Sequence, residues 1–269
     1  CAKMADLPDL EREALTERRL ISIALAHNVR HGALLFADDE SRSVLVNEED
    51  HLRIQCLLPG LATEEALRGA LETNERIEKE NAFAFDEKLG YLTCCPTNVV
   101  TGLRCSVMLH LPALAMTGQL MPMIQAAGKM GLAVRGVYGE GSDAQGAMLQ
   151  ISNRMTLGAS EEEITRGLTG VVRQIIARER GVRTLLRTVR RTEIEDRVWR
   201  AYALLSSARR MDTKEFMHLY SDMRLGVQME LLPRPKDEGS FARLLVDAQD
   251  ALLQKRFGTQ AEEAERDVL

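Results

Sequence analysis

The sequence predicts an α+β fold, in which a largely antiparallel β-sheet is flanked by helices and followed by an all-helical C-terminal region. Two patterns support this prediction. Up to Asn153, short apolar runs of β type alternate with polar turns and a few helical segments. After Gly158, apolar residues recur only at helical spacing. We therefore divide the 269-residue chain into one domain at residues 1–185 and a helical domain at residues 186–269.

Four elements are predicted in the first third of the chain. A period near 3.6 indicates the helices, and short apolar runs bounded by turn residues indicate the strands. Thr63 precedes two acidic residues and is predicted to be the N-cap of its helix, since acids favour the positive end of a helix. In order, the elements are a helix at 7–26, two strands of a hairpin at 33–37 and 43–46, and a helix at 63–81.

The rest of the predicted sheet surrounds a methionine-rich helix. Methionine at helical spacing is far more often core filling than a binding surface. A polar turn at Asp86–Lys88 interrupts the first of the remaining β segments. The expected elements are a β segment at 83–93, strands at 103–111, 132–138 and 148–153, and the helix at 118–130.

The C-terminal region begins with a clear helix start. Ser160 and Glu163 have the spacing of a capping box, in which each side chain bonds the other residue's backbone amide. The clearest break in the helical pattern that follows is Leu232–Pro235. We expect helices at about 161–180, 184–209, 213–225, 240–256 and 259–268.

Composition and charge exclude several classes of protein. The 35 basic and 40 acidic residues give a formal net charge of −5, which does not indicate nucleic acid as a direct partner. No apolar run approaches the ~20 residues that a membrane span needs. The five cysteines form no CxxC pair and lack metal-ligand spacing, which is typical of a reducing compartment. We expect a cytoplasmic chain without a secretion signal or a metal held by its own ligands.

The stretch Gly90–Pro112 contains the most informative local pattern. Its β-type residues are interrupted at Cys95–Asn98, where Pro and Asn mark a tight excursion between strands. Such a loop can hold the Cys95 thiol and the Arg104 guanidinium at the rim of a sheet, a common place for chemistry. From the residues alone, a small buried hydrophobe is the commoner fate of a free cysteine. The remaining internal cysteines, Cys56, Cys94 and Cys105, are interpreted as packing residues.

Three consecutive acids, Glu48, Glu49 and Asp50, follow the predicted hairpin. The simplest interpretation is a solvated acidic turn. If the strand instead continues beyond Val46, Glu48 and Asp50 share one face and Glu49 lies on the other. One carboxylate would then point into a cleft. Arg53 follows on the next β-type run.

A second arginine lies inside an apolar run, and a glycine-rich loop follows it. Arg135 interrupts Leu132–Tyr138, where a buried unpaired charge would be costly. The side chain either extends to solvent or faces an anion, and the residues favour neither. The segment Gly139–Gly146 contains Glu140 and Asp143 and is, by composition, a hairpin loop.

Several of these stretches resemble one family. Gly90–Asn98 and Thr101–Val107 together resemble the long, specific signature of the phosphagen (guanidino) kinases. Met108–Leu114 is similar to the bacterial branch of that family that phosphorylates arginine side chains of proteins. Asn47–Ile54 and Arg135–Gly141 extend the resemblance, which covers nearly the whole chain. It implies a catalytic domain of the guanidino-kinase/glutamine-synthetase-like fold at residues 1–185, with ATP and Mg²⁺ as cofactors.

The resemblance also implies roles for individual residues. Glu49 and Glu140 take the positions of the two acids that contact the substrate guanidinium. Cys95 takes the position of the cysteine whose thiolate lies against that group. The positions of arginines on the nucleotide phosphates are taken by Arg53, Arg104 and Arg135.

The helical C-terminal region resembles the domain that protein-arginine kinases have and metabolic phosphagen kinases lack. Glu265–Leu269 is similar to the start of that domain's phosphoarginine-binding motif, which implies that Arg266 and Asp267 bind phosphoarginine. Two departures from the family are visible. The N-terminal portion with further phosphate-binding arginines does not precede Leu7, and Val100 replaces a glycine that is usual after Asn98. We expect both to reduce ATP affinity and turnover.

Three functional hypotheses follow. The first is a protein-arginine kinase that transfers the γ-phosphate of ATP to arginines of proteins and so marks them for degradation. The second is a phosphagen kinase for a small free guanidine, and the third is a catalytically weak phosphoarginine-binding adaptor. The helical C-terminal region favours the first. The expected partners are arginine-bearing protein substrates, an activator and a chaperone–protease, and the sequence leaves a homodimer open.

Overall fold

The computed structural model describes residues 1–136 and 145–258, and the chain divides into two compact units. Antiparallel sheets flanked by helices, with a helical C-terminal region, confirm the predicted α+β class. The division into units does not follow the sequence boundary at 185/186, which stays a prediction. Unit 1 comprises Cys1–Val107, Gly131–Ala133 and Ser152–Val171; unit 2 comprises Met108–Met130, Val134–Ile151 and Val172–Leu269.

Unit 1 contains a four-stranded antiparallel sheet in the order β1-β2-β3-β4. The predicted hairpin forms its centre, and Leu45 and Leu34 are fully buried partners across it. Val46 pairs with Leu52 at the end of the next hairpin, so the intervening residues make the connecting turn. The strands are β1 (Ala2–Lys3), β2 (Ala33–Phe36), β3 (Arg42–Val46) and β4 (Leu52–Cys56).

The single helix predicted at 7–26 is wrong, because two helices occupy this segment: α1 (Asp9–Glu17) and α2 (Ile23–His27). Arg19 adopts a left-handed backbone conformation (φ 63°), which ends the first helical stretch. Ser22 then caps α2 by accepting a hydrogen bond from the Leu25 amide at 3.1 Å. Apolar residues of both helices join the sheet in one core made of Met4, Leu15, Leu20, Ile21, Leu25, Leu34 and Leu45.

Helix α3 (Thr63–Glu78) confirms the predicted helix but not its predicted cap. Thr63 lies inside the helix, and its hydroxyl is 2.7 Å from that of Thr169. A buried hydroxyl gains more from this partner than from a cap exposed to water. A short hairpin of β5 (Phe85–Asp86) and β6 (Gly90–Tyr91) follows, with Asp86 accepting two backbone amides of its turn.

A three-stranded sheet has the order β7-β9-β8, and β7 and β9 run antiparallel. The strands predicted at 103–111, 132–138 and 148–153 are all confirmed; the last two residues of the second lie outside the described ranges. The methionine-rich helix begins two residues later than predicted. The elements are β7 (Ser106–His110), α4 (Pro112–Met116), α5 (Leu120–Lys129), β8 (Leu132–Gly136) and β9 (Met148–Asn153).

The predicted capping box is present. The Ser160 amide donates to Glu163 Oε2 at 2.9 Å and the Glu163 amide to Ser160 Oγ at 3.2 Å. The break predicted between 180 and 184 is wrong, since a single helix with Gly181 inside it continues to Val189. The helix expected at 259–268 lies outside the described residues. The observed helices are α6 (Glu161–Val189), α7 (Arg191–Ser207), α8 (Thr213–Gln228), α9 (Glu238–Asp247) and α10 (Asp250–Phe257). Within the described ranges, none of the helices is both long and apolar enough to cross a bilayer.

Helices α7 and α8 of unit 2 pack closely where a glycine permits it. A Cβ on Gly226 would lie 2.2 Å from Val198 Cγ1, so a larger side chain would force the helices apart. The rings of Phe216, Tyr220 and Phe241 stack in sequence, with centroids 5.7 and 5.2 Å apart. Aromatic stacking and close helix packing together define this core.

A buried carboxylate in unit 2 joins β7, α4 and α6. Glu179 accepts the backbone amides of Ala113 at 3.0 Å and Leu114 at 2.9 Å, at the start of α4. Its other partner is Arg183 Nε at 2.7 Å, and Arg183 also donates to the His110 carbonyl at 3.2 Å. The side chain of Glu179 is only 3% exposed, so these donors replace the water it lost.

The environment of His110 predicts that the stability of the folded chain depends on pH. Its Nε2 lies 2.8 Å from Ser221 Oγ, while the buried Nδ1 has no hydrogen-bond partner among the described residues. Burial, followed by the positive charges of Arg224 and Arg183, lowers the pKa of His110 well below its ordinary value. The folded chain therefore keeps this imidazole neutral when an unfolded chain would protonate it.

We expect the unfolding free energy to fall as the pH drops below about 6.5, by up to about 1.4 kcal/mol per pH unit. The sign follows because the unfolded state binds the proton first. Urea unfolding at pH 7.5 and 5.5 measures the slope. His110→Gln should reduce the dependence of the unfolding free energy on pH. His27→Gln, which replaces an exposed imidazole, should leave that dependence unchanged. An equal slope in all three chains would contradict the assignment.

Candidate active site

The three consecutive acids lie in a tight turn between β3 and β4. Strand β3 ends at Val46, and the Asn47 amide donates to the His51 carbonyl at 2.9 Å to close the turn. The interpretation in which the strand continues past Val46 is therefore wrong. Asn47 has a left-handed backbone (φ 56°), a conformation that asparagine tolerates better than most residues.

Asparagine side chains hold this turn from both sides. Asn28 Nδ2 donates to the Asn47 carbonyl at 2.7 Å, and Asn47 Nδ2 donates to the His31 carbonyl at 3.0 Å. The segment after α2 and the β3–β4 turn are thereby fixed to each other. This arrangement leaves little freedom for the acids that follow Asn47.

Glu48 is turned inward and bound. Its side chain is 5% exposed and accepts from Arg53 Nη1 at 3.1 Å and from the Glu49 amide at 3.1 Å. Burial raises the pKa of this carboxyl, but hydrogen bonds from the Ser22 hydroxyl and the Glu49 amide, together with Arg53, outweigh it and lower the pKa overall. Glu48 therefore carries a stable negative charge that is already paired.

Glu49 and Asp50 differ from Glu48 in what they face. Glu49 is exposed, and no residue of the described ranges donates a hydrogen bond to its carboxylate. Asp50 is half-buried, and its Oδ1 accepts the Cys94 amide at 2.6 Å. Of the three acids, Glu49 is thus the one with its oxygens open to a ligand.

These acids line an open pocket of about 400 Å³. Because Arg53 is paired with Glu48 and Asp50 accepts the Cys94 amide, the open carboxylate of Glu49 gives the pocket a negative character. Its lining residues are Asn28, His31, Asn47, Glu48, Glu49, Asp50, His51 and Cys94.

The cysteine loop approaches the same pocket. Cys95 is half-buried, its Sγ lies 2.9 Å from Thr97 Oγ1, and a 3₁₀ turn at Pro96–Asn98 follows it. The Thr156 hydroxyl lies within hydrogen-bond distance of the Thr97 and Val99 carbonyls, at 3.0 and 2.6 Å, and holds the loop from the other side.

The interpretation of Cys94 as a packing residue is wrong, because the residue is exposed and lines the pocket. A hydrogen bond from its thiol to Asp50, then partial burial and the negative charge of Asp50, raise the pKa of Cys94. Burial likewise raises the pKa of Cys56 and Cys105, the other two cysteines assigned to packing. Nothing in the sequence pattern distinguished Cys94 from these two.

The remaining predicted residues are placed as follows. Arg53 is 41% exposed beside Glu48, and Arg104 is exposed just before β7, both in unit 1. Arg135 is half-buried on β8 and belongs to unit 2, so its approach to the pocket stays a prediction. Outside the described residues lie Glu140, Arg266 and Asp267.

With the geometry established, comparison with known families identifies the class of protein. The model of the ATP:guanido phosphotransferase C-terminal catalytic domain matches residues 1–182, and the chain belongs to this family of kinases. The model of the protein-arginine kinase McsB C-terminal domain matches residues 191–269.

Individual relatives indicate which kinases of this family the chain resembles. The chain is 50% identical over 266 residues to a protein-arginine kinase of Caldanaerobacter subterraneus subsp. tengcongensis, covering 99% of this chain and 78% of the relative. It is 48% identical to a protein-arginine kinase of Moorella thermoacetica, covering 98% of this chain and 75% of that one.

Solved structures of the family are more distant in sequence. A duplicated taurocyamine kinase from Schistosoma mansoni, with bound transition state analog components, matches with a TM-score of 0.59 and 26% identity, over 67% of this chain and 26% of that chain. A lombricine kinase matches with a TM-score of 0.57 and 25% identity, over 68% of this chain and 54% of that chain. These structures support the guanidino-kinase fold predicted from the sequence.

Val100 has a strained backbone at a position where a glycine is usual in the family. Its φ is 86°, a conformation that glycine adopts freely and a β-branched residue only at a cost. Hydrogen bonds in both directions with Tyr91, at 3.0 and 3.3 Å, hold it there. The surrounding structure therefore imposes the glycine conformation on a valine.

We expect Val100→Gly to stabilise the chain by about 1 kcal/mol, since relief of strain exceeds the entropic cost of glycine in the unfolded state. Urea unfolding measures the change. Val99→Gly is the matched control, because Val99 has φ −56° and should lose stability on the same replacement. A loss of stability in both variants would show that Val100 is not strained.

Proposed function

We propose that the chain is a protein-arginine kinase, which transfers the γ-phosphate of ATP to guanidinium groups of arginine side chains in proteins. The observation that carries the proposal is the open carboxylate of Glu49, at a pocket whose neighbouring acid and base are already paired. Relatives that are protein-arginine kinases at 50% and 48% identity support it.

The chemistry explains why an acid must be held open. A guanidinium is a far weaker acid than a glutamic acid, so proton removal before transfer would cost about 13 kcal/mol. Glu49 therefore cannot deprotonate the substrate in its ground state. It can bind the planar cation through two hydrogen bonds and accept the proton as the N–P bond forms, when that nitrogen becomes acidic.

Two further groups complete the proposed guanidinium site. Glu140 would supply the second carboxylate, and the Cys95 thiolate would lie against the guanidinium. Placing the acceptor nitrogen at reacting distance supplies a large part of the rate in such a site. Of these two, Cys95 directly follows Cys94, which lines the pocket.

The nucleotide side of the site requires positive charge. Arg53, Arg104 and Arg135 would offset the charge of the ATP phosphates, where positioning and charge stabilisation matter more than covalent help. Among the described residues, no group of three or more His, Cys, Asp or Glu side chains could hold a metal. Mg²⁺ would arrive with the nucleotide and be coordinated mainly by phosphate and water.

The match of residues 191–269 to the C-terminal domain model of protein-arginine kinases favours protein over small guanidines as substrate. We assign phosphoarginine binding to Arg266 and Asp267 in that region. Marking of clients for degradation, an activator, a chaperone–protease partner and a homodimer are parts of the same proposal. We place the chain in the cytoplasm, where its five free cysteines would stay reduced.

Replacement of the open acid tests the mechanism. Glu49→Gln should lower kcat for phosphorylation of a basic protein about 100-fold, because it removes the charge that holds the guanidinium and accepts the proton. Transfer of labelled γ-phosphate to acid-labile phosphoarginine is the measurement. Glu75→Gln, an exposed acid of α3, is the matched control and should act at the unsubstituted rate. Equal rates in all three chains would remove Glu49 from the mechanism.

Substrate competition tests the acceptor class. With ATP, a protein rich in arginine and free arginine at matched guanidinium concentration, we expect phosphate almost entirely on the protein. Mass spectrometry of both products gives the ratio. Preferential phosphorylation of free arginine would favour a small-guanidine kinase instead. Binding of phosphoarginine without any transfer would favour an adaptor.

A further inference from the structure

Asp50 connects two loops that are far apart in sequence. Its Oδ1 accepts the backbone amide of Cys94, 44 positions later, at 2.6 Å. The same carboxylate raises the pKa of the Cys94 thiol. A short contact of an amide with an ionised carboxylate is among the stronger hydrogen bonds in proteins. The turn that carries Glu49 is thereby joined to the loop that carries Cys95.

We propose that Asp50 is a positioning residue, which fixes the Cys95 thiol relative to the Glu49 carboxylate through the Cys94 amide. The catalytic role of this positioning rests on the proposed function. Its structural basis is the contact itself, since Glu49 immediately precedes Asp50 and Cys95 immediately follows Cys94. One hydrogen bond thus spans the distance between two groups that must approach the same guanidinium.

The position of Asp50 makes this bond effective. The turn is held on its other side by Asn28 and by the Glu48–Arg53 pair, so Asp50 extends from a rigid support. Thr156 holds the cysteine loop from the far side. The amide contact with Asp50 therefore decides how closely the near side of that loop approaches the acids. Displacement of a reacting group by about 1 Å can reduce a rate about 100-fold.

A different role for Asp50 is direct contact with the substrate cation, since the residue also lines the pocket. Two substitutions separate these roles. Asp50→Asn keeps an oxygen that can accept the Cys94 amide but removes the charge. Asp50→Glu keeps the charge but lengthens the side chain by one methylene, which displaces the oxygen from the amide.

Positioning predicts that kcat for protein phosphorylation stays within about threefold in Asp50→Asn and falls about 10- to 100-fold in Asp50→Glu, with the KM for ATP unchanged. The opposite order, an active Glu variant and an inactive Asn variant, would overturn the proposal and assign Asp50 to direct charge contact. Loss of activity in both variants, or in neither, would overturn it as well. Asp39, which accepts the Ser41 amide in the β2–β3 turn, is the control; Asp39→Asn and Asp39→Glu should both act normally.

Thiol alkylation supplies a readout that does not need catalysis. Iodoacetamide labelling of the chain without substrate, resolved by mass spectrometry, should give an unchanged rate at Cys95 in Asp50→Asn. In Asp50→Glu the rate should rise at least about threefold, because the released loop exposes the thiol. Cys94 should label faster in Asp50→Asn, because the Asp50 carboxylate raises the pKa of its thiol and the amide would not. Equal Cys95 rates in both variants would overturn the proposal. If the unsubstituted chain shows no phosphoryl transfer, the proposed function fails, and labelling still decides whether Asp50 fixes the loop.

Discussion

The pairing of Glu48 with Arg53 is the interaction on which the pocket depends. It places one acid of the turn inside the unit at 5% exposure and leaves the next acid outside. Removal of Arg53 would leave the buried Glu48 carboxylate without its cation, with the Ser22 hydroxyl and the Glu49 amide still donating to it. The left-handed Asn47 and its two asparagine hydrogen bonds fix the same turn through the backbone. Selective pairing of this kind gives three neighbouring carboxylates different surroundings.

The fold was largely predictable because its signals are local. The hairpin of β2 and β3 and the capping box of α6 depend on neighbouring residues in the chain, and both were predicted correctly. The break between α1 and α2 was missed, because it depends on one left-handed arginine that no pattern marks. The partner of Thr63 was also missed, since Thr169 lies 106 positions away.

The sequence supplied candidate residues for the site but not their arrangement. The resemblance to a known family selected Glu49, Cys95 and Arg53, whereas the strand alternation argument gave the wrong geometry for the acids. Neither approach indicated the hydrogen bond between Asp50 and Cys94, because it joins two loops and lies in neither motif alone. Residue types can be read from the sequence, but a hydrogen bond between Asp50 and Cys94, 44 positions apart, is seen only in the folded structure.

The buried Glu179 has a consequence for how unit 2 forms. Helix α4 has only five residues, and a helix of that length is unstable alone in water. Its first amides are bonded by a carboxylate 66 and 65 positions further along the chain. Helix α4 can therefore become ordered only together with α6. Because this contact joins distant parts of the chain, it forms late, raises the contact order and slows folding. A ribosome-bound chain that ends before Glu179 would leave α4 without its acceptor, so this part of the unit must await synthesis of the central helix.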